Sequence, residues 1–240
     1  MAQAIYREWF VHFRHLPNSQ ESGPNAEADH FPASWTRMTA GEAMAVSGGG
    51  TPSRSEPSYW DGGTIAWFTP TDLTRAKTMF IASSSQRITP LGLSKSSAKL
   101  FPPRSVLMTS RATIGAVAIS KTEACTNQGF IVCEPNERIS EFFIYFWLRE
   151  RVPEFKTLAS GATFKELSRG EFRRLQIALP PVDLMTHFHT AVKPLGDSIE
   201  RMLEMNECLR SLRDFLLPKL VSGQIDVSKL GLEGLIEEAV

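Results

Sequence analysis

The sequence predicts an α+β body followed by a long coiled-coil-like spacer helix, and three observations carry that prediction. Short strand-like runs and scattered helical segments mix between Trp35 and Leu179, without the regular alternation of a doubly wound sheet. Leu179-Pro180-Pro181 then stops the last of these runs. Beyond it, Leu195, Met202, Leu209 and Leu216 recur every seven residues, with Ile199, Asn206, Arg213 and Leu220 four residues behind them. That is a two-position seam sustained over more than three heptads, and at ~1.5 Å per residue Leu195 to Leu220 would span on the order of 39 Å.

The elements follow in order. Ala2 to Phe13 predicts an amphipathic helix, with Ile5, Trp9 and Phe13 on one face and Tyr6 and Phe10 beside them. It is too short to stand alone in water, so it either docks on its own domain or ends a longer helix that packs elsewhere. Leu16 to Pro32, with Pro17, Gly23 and Pro24, reads as a polar linker. Thr39-x-x-Glu42 is a capping box, predicting a helix over Ala40 to Val46 that stops at Gly48-Gly49-Gly50. Strands are expected at Ile65 to Thr69, Ser105 to Thr109, Ile114 to Ser120 and Phe130 to Cys133, and helices at Glu141 to Leu148 and Val152 to Leu158. A second capping box, Ser168-x-x-Glu171, opens one turn before the alternating strand Leu175, Ile177, Leu179. A helix from Asp183 carries Leu184, Phe188 and Val192, and Pro194 should break it before the long helix. The chain thus divides into residues 1–33 (a helix end and linker), 34–181 (the globular body) and 182–240 (the helical spacer).

Composition narrows the function. Apolar residues make up 42% and aromatics 10%, enough for a real core and against wholesale disorder. The formal net charge is zero, but its distribution is uneven. Between Leu73 and Thr122 stand eight basic residues (Arg75, Lys77, Arg87, Lys95, Lys99, Arg104, Arg111, Lys121) and no acidic one, a plausible footprint for phosphate. Past Gly223 the balance is acidic, with Asp226, Glu233, Glu237 and Glu238 against Lys229. Cys125, Cys133 and Cys208 lack metal-ligand spacing and fit small buried residues of a reducing compartment. No apolar run reaches ~18 residues and no signal-peptide layout opens the chain, so a soluble, cytoplasmic protein is expected.

Catalytic templates are missing: there is no G-x-S-x-G, no G-x-x-x-x-G-K-[ST] and no H-E-x-x-H. Gly48-Gly49-Gly50-Thr51-Pro52 follows a predicted helix rather than a strand and lacks dinucleotide spacing. His12, His15, His30, His187 and His189 make no metal set. Glu154-Phe155-Lys156 has the acid-x-lysine order of metal-dependent nucleases, without a well-placed acidic partner. More informative are Ser94-Lys95-Ser96-Ser97-Ala98-Lys99 and Thr109-Ser110-Arg111-Ala112-Thr113, which set hydroxyls beside cations. Such donors grip phosphate oxygens, and Arg reads guanine edges bidentately; the bland alternative is a solvated loop. Asn127 and Gln128 could pair with adenine, and are read instead as structural turn residues. On the heptad seam, Asn206 and Arg213 either specify a partner or mark a half-buried face.

Taken together, these segments resemble the specificity subunit of type I restriction–modification systems. The resemblance runs collinearly from about Trp35 to Ile225 through Gly48-Gly49-Gly50-Thr51-Pro52-Ser53 with Tyr59-Trp60, Ile65-Ala66-Trp67-Phe68-Thr69-Pro70-Thr71-Asp72-Leu73 and Ser96-Ser97-Ala98-Lys99-Leu100-Phe101-Pro102. It continues through Ser110-Arg111-Ala112-Thr113-Ile114-Gly115, Thr126-Asn127-Gln128-Gly129-Phe130, Ala159-Ser160-Gly161-Ala162-Thr163-Phe164-Lys165-Glu166-Leu167 and Leu179-Pro180-Pro181. It implies a non-catalytic subunit whose target recognition domain reads one half of a split site on double-stranded DNA. Helical spacers of the family set the gap between half-sites and dock methyltransferase subunits, and through them restriction subunits. S-adenosylmethionine, ATP and Mg are then expected on those partners and no cofactor or metal on this chain.

The usual member carries two recognition domains and two spacers, whereas this sequence shows one of each. Tyr6 to Phe13 looks like the close of the family's central spacer and Leu216 to Ile225 like its C-terminus, so the chain resembles the second half, as a fragment or a natural half-length version. A half-length chain would pair with a second copy as a homodimer. The interface expected is Leu195, Ile199, Met202, Asn206, Leu209 and Leu216. For DNA, Lys95, Lys99 and Lys165 are expected on phosphates with Ser96 and Ser97 assisting, and Arg111 and Arg54 on bases or a groove. Two rival readings are a metal-dependent nuclease using Glu154 and Lys156, and a module that binds methyltransferase subunits without reading DNA.

Overall fold

The computed structural model describes residues 1–14, 31–161 and 165–225, and the expected linker, residues 162–164 and the acidic tail lie wholly or mostly outside them. Contacts separate Met1–Leu195 from the residues after it. The expected divisions at 33/34 and 181/182 follow segments of the sequence, whereas this contact boundary falls inside the last helix. The reason is packing: both the N-terminal helix and the opening turns of the last helix bury side chains in the same core.

In that first unit the strands are β1 (Thr36–Thr39), β2 (Ala45–Ser47), β3 (Ile65–Phe68), β4 (Phe80–Ile81), β5 (Gln86–Ile88), β6 (Val106–Thr109), β7 (Val117–Ser120), β8 (Cys125–Thr126), β9 (Phe130–Glu134) and β10 (Gln176–Leu179). The helices are α1 (Ala2–Phe10), α2 (Ala40–Ala43), α3 (Pro70–Ala76), α4 (Pro90–Ser94), α5 (Glu141–Glu150), α6 (Val152–Leu158) and α7 (Arg169–Arg174), and α8 (Val182–Val221) begins there. Among the described residues a five-stranded sheet runs β2-β9-β6-β7-β4, a three-stranded sheet runs β5-β3-β8, and β1 pairs with β10. Within the five-stranded sheet the pairs are antiparallel except β4 with β7. The α+β expectation holds.

β3 shows how alternation becomes architecture. Ala66 and Phe68 enter one apolar cluster with Leu107, Phe130 and Val132, while Trp67 enters another with Ile88, Ala98 and Cys125. A two-residue period is what lets one strand serve two cores. Cys125 and Cys133 are buried, as small apolar residues should be, but Cys208 is exposed.

α5 is the centre. Phe142 through Leu148 are all buried, so the helix is covered on every side. Ser140 caps it by accepting from the Phe143 amide. Strands β6 and β7 pack on it, while Trp147 meets Phe155 of α6 and Phe172 of α7. A further side is closed by aromatics from both ends of the unit: Phe10 lies 5.0 Å from Phe143 and 4.8 Å from Phe188, and Tyr6 lies 5.6 Å from Phe143. The N-terminal helix thus docks on its own domain, and ends at Phe10 rather than Phe13, whose φ is 54°.

Three further expectations are corrected. The helix over Ala40 to Val46 stops at Ala43, because Ala45–Ser47 pairs with Val132–Glu134 and so leaves the helix for a ladder. The strand over Ile114 to Ser120 begins at Val117, because Ala112 (φ 61°) and Gly115 (φ 96°) turn the chain and the Gly115 amide bonds back to the Thr109 carbonyl. Pro194 does not break the last helix, which continues to Val221. Proline removes one donor, here to the Thr190 carbonyl, at a cost of ~3 kcal/mol. Burial of Met185, Phe188 and Val192 in the preceding turns offsets it. Unforeseen by pattern were α3, α4 and the short strands β1, β4, β5 and β8.

From Gly196 on, α8 exposes an apolar stripe. Met202, Met205, Leu209 and Leu212 are 60%, 63%, 59% and 50% exposed, values unusual for a helix face of this character unless something covers it. Leu195, Ile199 and Leu216 are half-buried and Asn206 is exposed. The stripe runs through Met205 and Leu212 beside the expected Met202, Leu209 and Leu216, whereas Arg213 pairs with Asp214.

Phe10 joins the aromatic cluster over α5, so Phe10→Ala is expected to destabilise the protein by ~3–5 kcal/mol in urea denaturation. A loss under about 1 kcal/mol would show that α1 is not part of the cooperative unit.

Candidate nucleic-acid interface

The glycine run is a close-approach device. The Gly50 amide donates to the Thr126 carbonyl of β8 (2.9 Å), and the Trp67 indole donates to the Gly50 carbonyl (2.9 Å). A Cβ on Gly49 would lie 1.8 Å from the Thr126 carbonyl oxygen, and one on Gly50 would lie 2.0 Å from the Ser97 hydroxyl. Only glycine lets the loop wedge between β8 and the turn at residues 96–98. This brings the Ser96–Lys99 segment, the loop after β2 and the Asn127–Gly129 turn together. Thr51 then donates to the Gln128 side chain (2.7 Å), locking the first loop to the last.

The Arg111 loop adjoins that cluster. Ser110 donates to the Gly129 carbonyl and receives the Leu167 amide, and the Ala112 amide reaches the Lys165 carbonyl. Arg111 and Lys165 therefore sit on neighbouring stretches. Arg111 faces Glu166 at 3.8 Å with both side chains nearly half exposed. A long, solvated pair of this kind is worth ~0–1 kcal/mol, so a phosphate or a base edge can displace the carboxylate at little cost.

The other expected residues separate by what already holds them. Lys95, Lys99 and Lys165 are exposed and carry no ion pair among the described residues. Ser97 is exposed against Gly50, whereas the half-buried Ser96 hydroxyl is committed to its own turn, accepting from the Ala98 amide. Arg54 is clamped: its guanidinium lies 3.8 Å from the Trp60 ring and 5.0 Å from Trp67, and it donates to Gln86 (2.7 Å). It remains exposed, but in one set orientation. Asn127 accepts from the Gly129 amide and Gln128 from Thr51, in keeping with a turn-forming role.

Residues outside the sequence reading join the site. Arg169 lies over Gly48, where a Cβ would come 2.9 Å from its terminal nitrogen. The Ser168 capping box could have flagged it, since Arg169 is the first residue of the helix that Ser168 opens. Asp72 is the hidden support. It accepts from the Thr69 amide and hydroxyl (2.7 Å each) and from the Ser85 amide (3.0 Å), fixing the start of α3, whose Pro70 abuts Gly129. Burial acts to raise its pKa, but the Thr69 and Ser85 hydrogen bonds outweigh it and hold the carboxyl below its ordinary 3.8.

Glu154, the acid of the acid-x-lysine order, is gripped by Arg151 through two hydrogen bonds (2.6 and 3.0 Å), and Phe155 is fully buried. No group of three or more His, Cys, Asp or Glu among the described residues is arranged to hold a metal. No described helix is long and apolar enough to cross a membrane.

The comparisons say which class of protein carries this α+β body with exposed cations on its loops. The family model of the type I restriction modification DNA specificity domain matches residues 32–184, and this chain belongs to that family. It is 33% identical over 184 residues to the type I restriction enzyme MjaIX specificity subunit of Methanocaldococcus jannaschii, covering 76% of this chain and 42% of that protein. Identity to the HindI specificity subunit of Haemophilus influenzae is 27%, covering 81% of this chain and 42% of that one. The chain therefore spans less than half the length of these relatives. In fold it resembles the HsdS subunit of Thermoanaerobacter tengcongensis (TM-score 0.54, 19% identity, 91% of this chain and 49% of that).

Because the depressed pKa of Asp72 favours its charged form in the folded state, its stabilising bonds are present above the ordinary pKa and lost as pH falls through the folded one. Denaturation at stepped pH should show wild type more stable than Asp72→Asn at neutral pH, with the gap closing below about pH 4. A gap independent of pH would refute the assignment.

Proposed function

We propose that this chain is a non-catalytic DNA-recognition element of a type I restriction–modification system, reading one half of a bipartite site. The observation that carries the reading is the convergence of Lys95, Lys99, Lys165 and Arg111 on loops stitched together around Gly49 and Gly50. The lysines hold phosphates and set register. Arg111 reads a base edge or groove, since a planar guanidinium can bind bidentately. Arg54, fixed against Trp60, serves the same edge from a rigid mount. Membership of the specificity family and the likeness to the MjaIX and HindI specificity subunits support this reading.

The exposed stripe on α8 is the assembly surface, where another apolar helix and the methyltransferase subunits dock. S-adenosylmethionine, ATP and Mg belong to those partners, and the complex works in the cytoplasm.

Replacing Lys95 and Lys99 together by alanine should weaken DNA binding on every sequence and flatten the logarithmic salt slope by about two units. Unchanged binding would remove these lysines from the interface. Arg111→Ala should instead cost ~1–3 kcal/mol and relax one position of the site. In a host expressing this chain with its methyltransferase subunit, single-molecule methylome sequencing should show a bipartite motif with two identical, inverted half-sites. Leu209→Glu should abolish that motif while leaving DNA binding intact. A motif with no such symmetry would refute self-pairing, and no DNA binding at all would leave an interaction module.

A further inference from the structure

A groove of about 420 Å³ lies between the C-terminal end of α3, the chain from Thr113 to Val117, and the facing side of α5 and α6. Lys77, Arg149 and Lys156 line it together with Thr74, Thr78 and Thr113, and no carboxylate among the described residues does. The Thr74 and Thr78 hydroxyls already donate to the Thr71 (3.2 Å) and Phe80 (2.7 Å) carbonyls, so the cations carry the site. All three cations are exposed. The nearby acids are occupied elsewhere: Asp72 by Thr69 and Ser85, and Glu154 by Arg151.

The groove is also shaped. Gly115 (φ 96°) lets Val152 close its floor, since a Cβ there would meet a Val152 methyl at 2.5 Å. Arg149 donates to the buried Tyr145 hydroxyl (3.2 Å), which fixes where its charge sits. Three cations with no counter-charge lining a concave site form a donor set for phosphate oxygens.

Its distance from the Gly129 turn is set by α3. α3 begins at Pro70, against Gly129 in the interface, and ends beside Lys77 in the groove. A seven-residue helix covers about 10 Å, the axial rise of roughly three base pairs. The loop from Arg111 to Thr113 bridges the same two places.

We propose that this groove is a second DNA contact, taking backbone phosphates about three base pairs outside the half-site read by the Arg111 loop. The proposal rests on the DNA-binding reading above. It makes the flank beside the half-site a determinant of affinity, though not of sequence.

The test uses the full chain and a duplex selected for binding from a random pool, in a long-flank form and in a form trimmed to the protected bases. Lys77→Gln/Lys156→Gln should bind the long duplex about tenfold more weakly at low salt, with a salt slope shallower by about 1.8. On the trimmed duplex it should match wild type, and its unchanged melting temperature would exclude misfolding. Equal binding of the long duplex by variant and wild type would overturn the groove, as would equal loss on both duplexes. So would inorganic pyrophosphate binding to wild type but not to the variant when the long duplex is indifferent to the change, since the ligand is then a free phosphate. Failure of wild type to bind any duplex is a different result: it defeats the DNA reading itself and this extension with it.

Discussion

Burial of α5 on every side is the constraint from which the rest follows. A helix whose residues from Phe142 to Leu148 are all buried cannot be satisfied by one layer, so three sets of partners are required. The five-stranded sheet supplies one through β6 and β7, α6 and α7 a second, and α1 with the first turns of α8 a third. Each large side chain fully buried there contributes ~1.5–3 kcal/mol before entropy is charged. β6 and β9, held in register by this packing, end in the Ser110–Arg111 and Asn127–Gly129 turns. The interface is therefore positioned by the core beneath it.

The zero net charge conceals how the two signs are used. Several acids hold local structure: Glu42, Asp72 and Glu171 close capping boxes, Glu154 binds Arg151, and Glu150 takes Gln3 and Arg7. Several bases also turn inward, as Arg173 does toward the Val46 carbonyl and Arg87 toward that of Thr64. Those left exposed without an ion pair among the described residues include Lys95, Lys99 and Lys165 on the loops and Lys77 and Lys156 at the groove. A neutral chain can thus present a local positive surface, with long-range attraction limited and contact attraction retained.

The stripe on α8 belongs to a different class of surface. Its apolar side chains recur at three and four residues, which suits another helix, and nothing about it suits a polyanion. The exposed cations and the apolar stripe are thereby separated along the chain, the cations in the first unit and the stripe after Gly196.

Much of this was legible in the residues alone. The Thr39–Glu42 and Ser168–Glu171 capping boxes form as read, α6 occupies Val152–Leu158 as expected, and the apolar runs became β3, β6 and β9. These are local effects, decided within about one helical turn or by a two-residue period. The heptad repeat likewise marked the long helix, though not its continuity through Pro194. What the residues alone could not show depended on partners far along the chain. Val46 is a strand because Cys133 pairs with it, Gly49 and Gly50 are glycines because Thr126 and Ser97 crowd them, and Arg169 joins the site because Gly48 leaves it room. Lys77, Arg149 and Lys156 share a groove because the fold brings the end of α3 beside α5 and α6, residues far apart in sequence. Sequence determined the elements and the chemistry available; tertiary packing decided which of those side chains meet, because that depends on contacts no local pattern encodes.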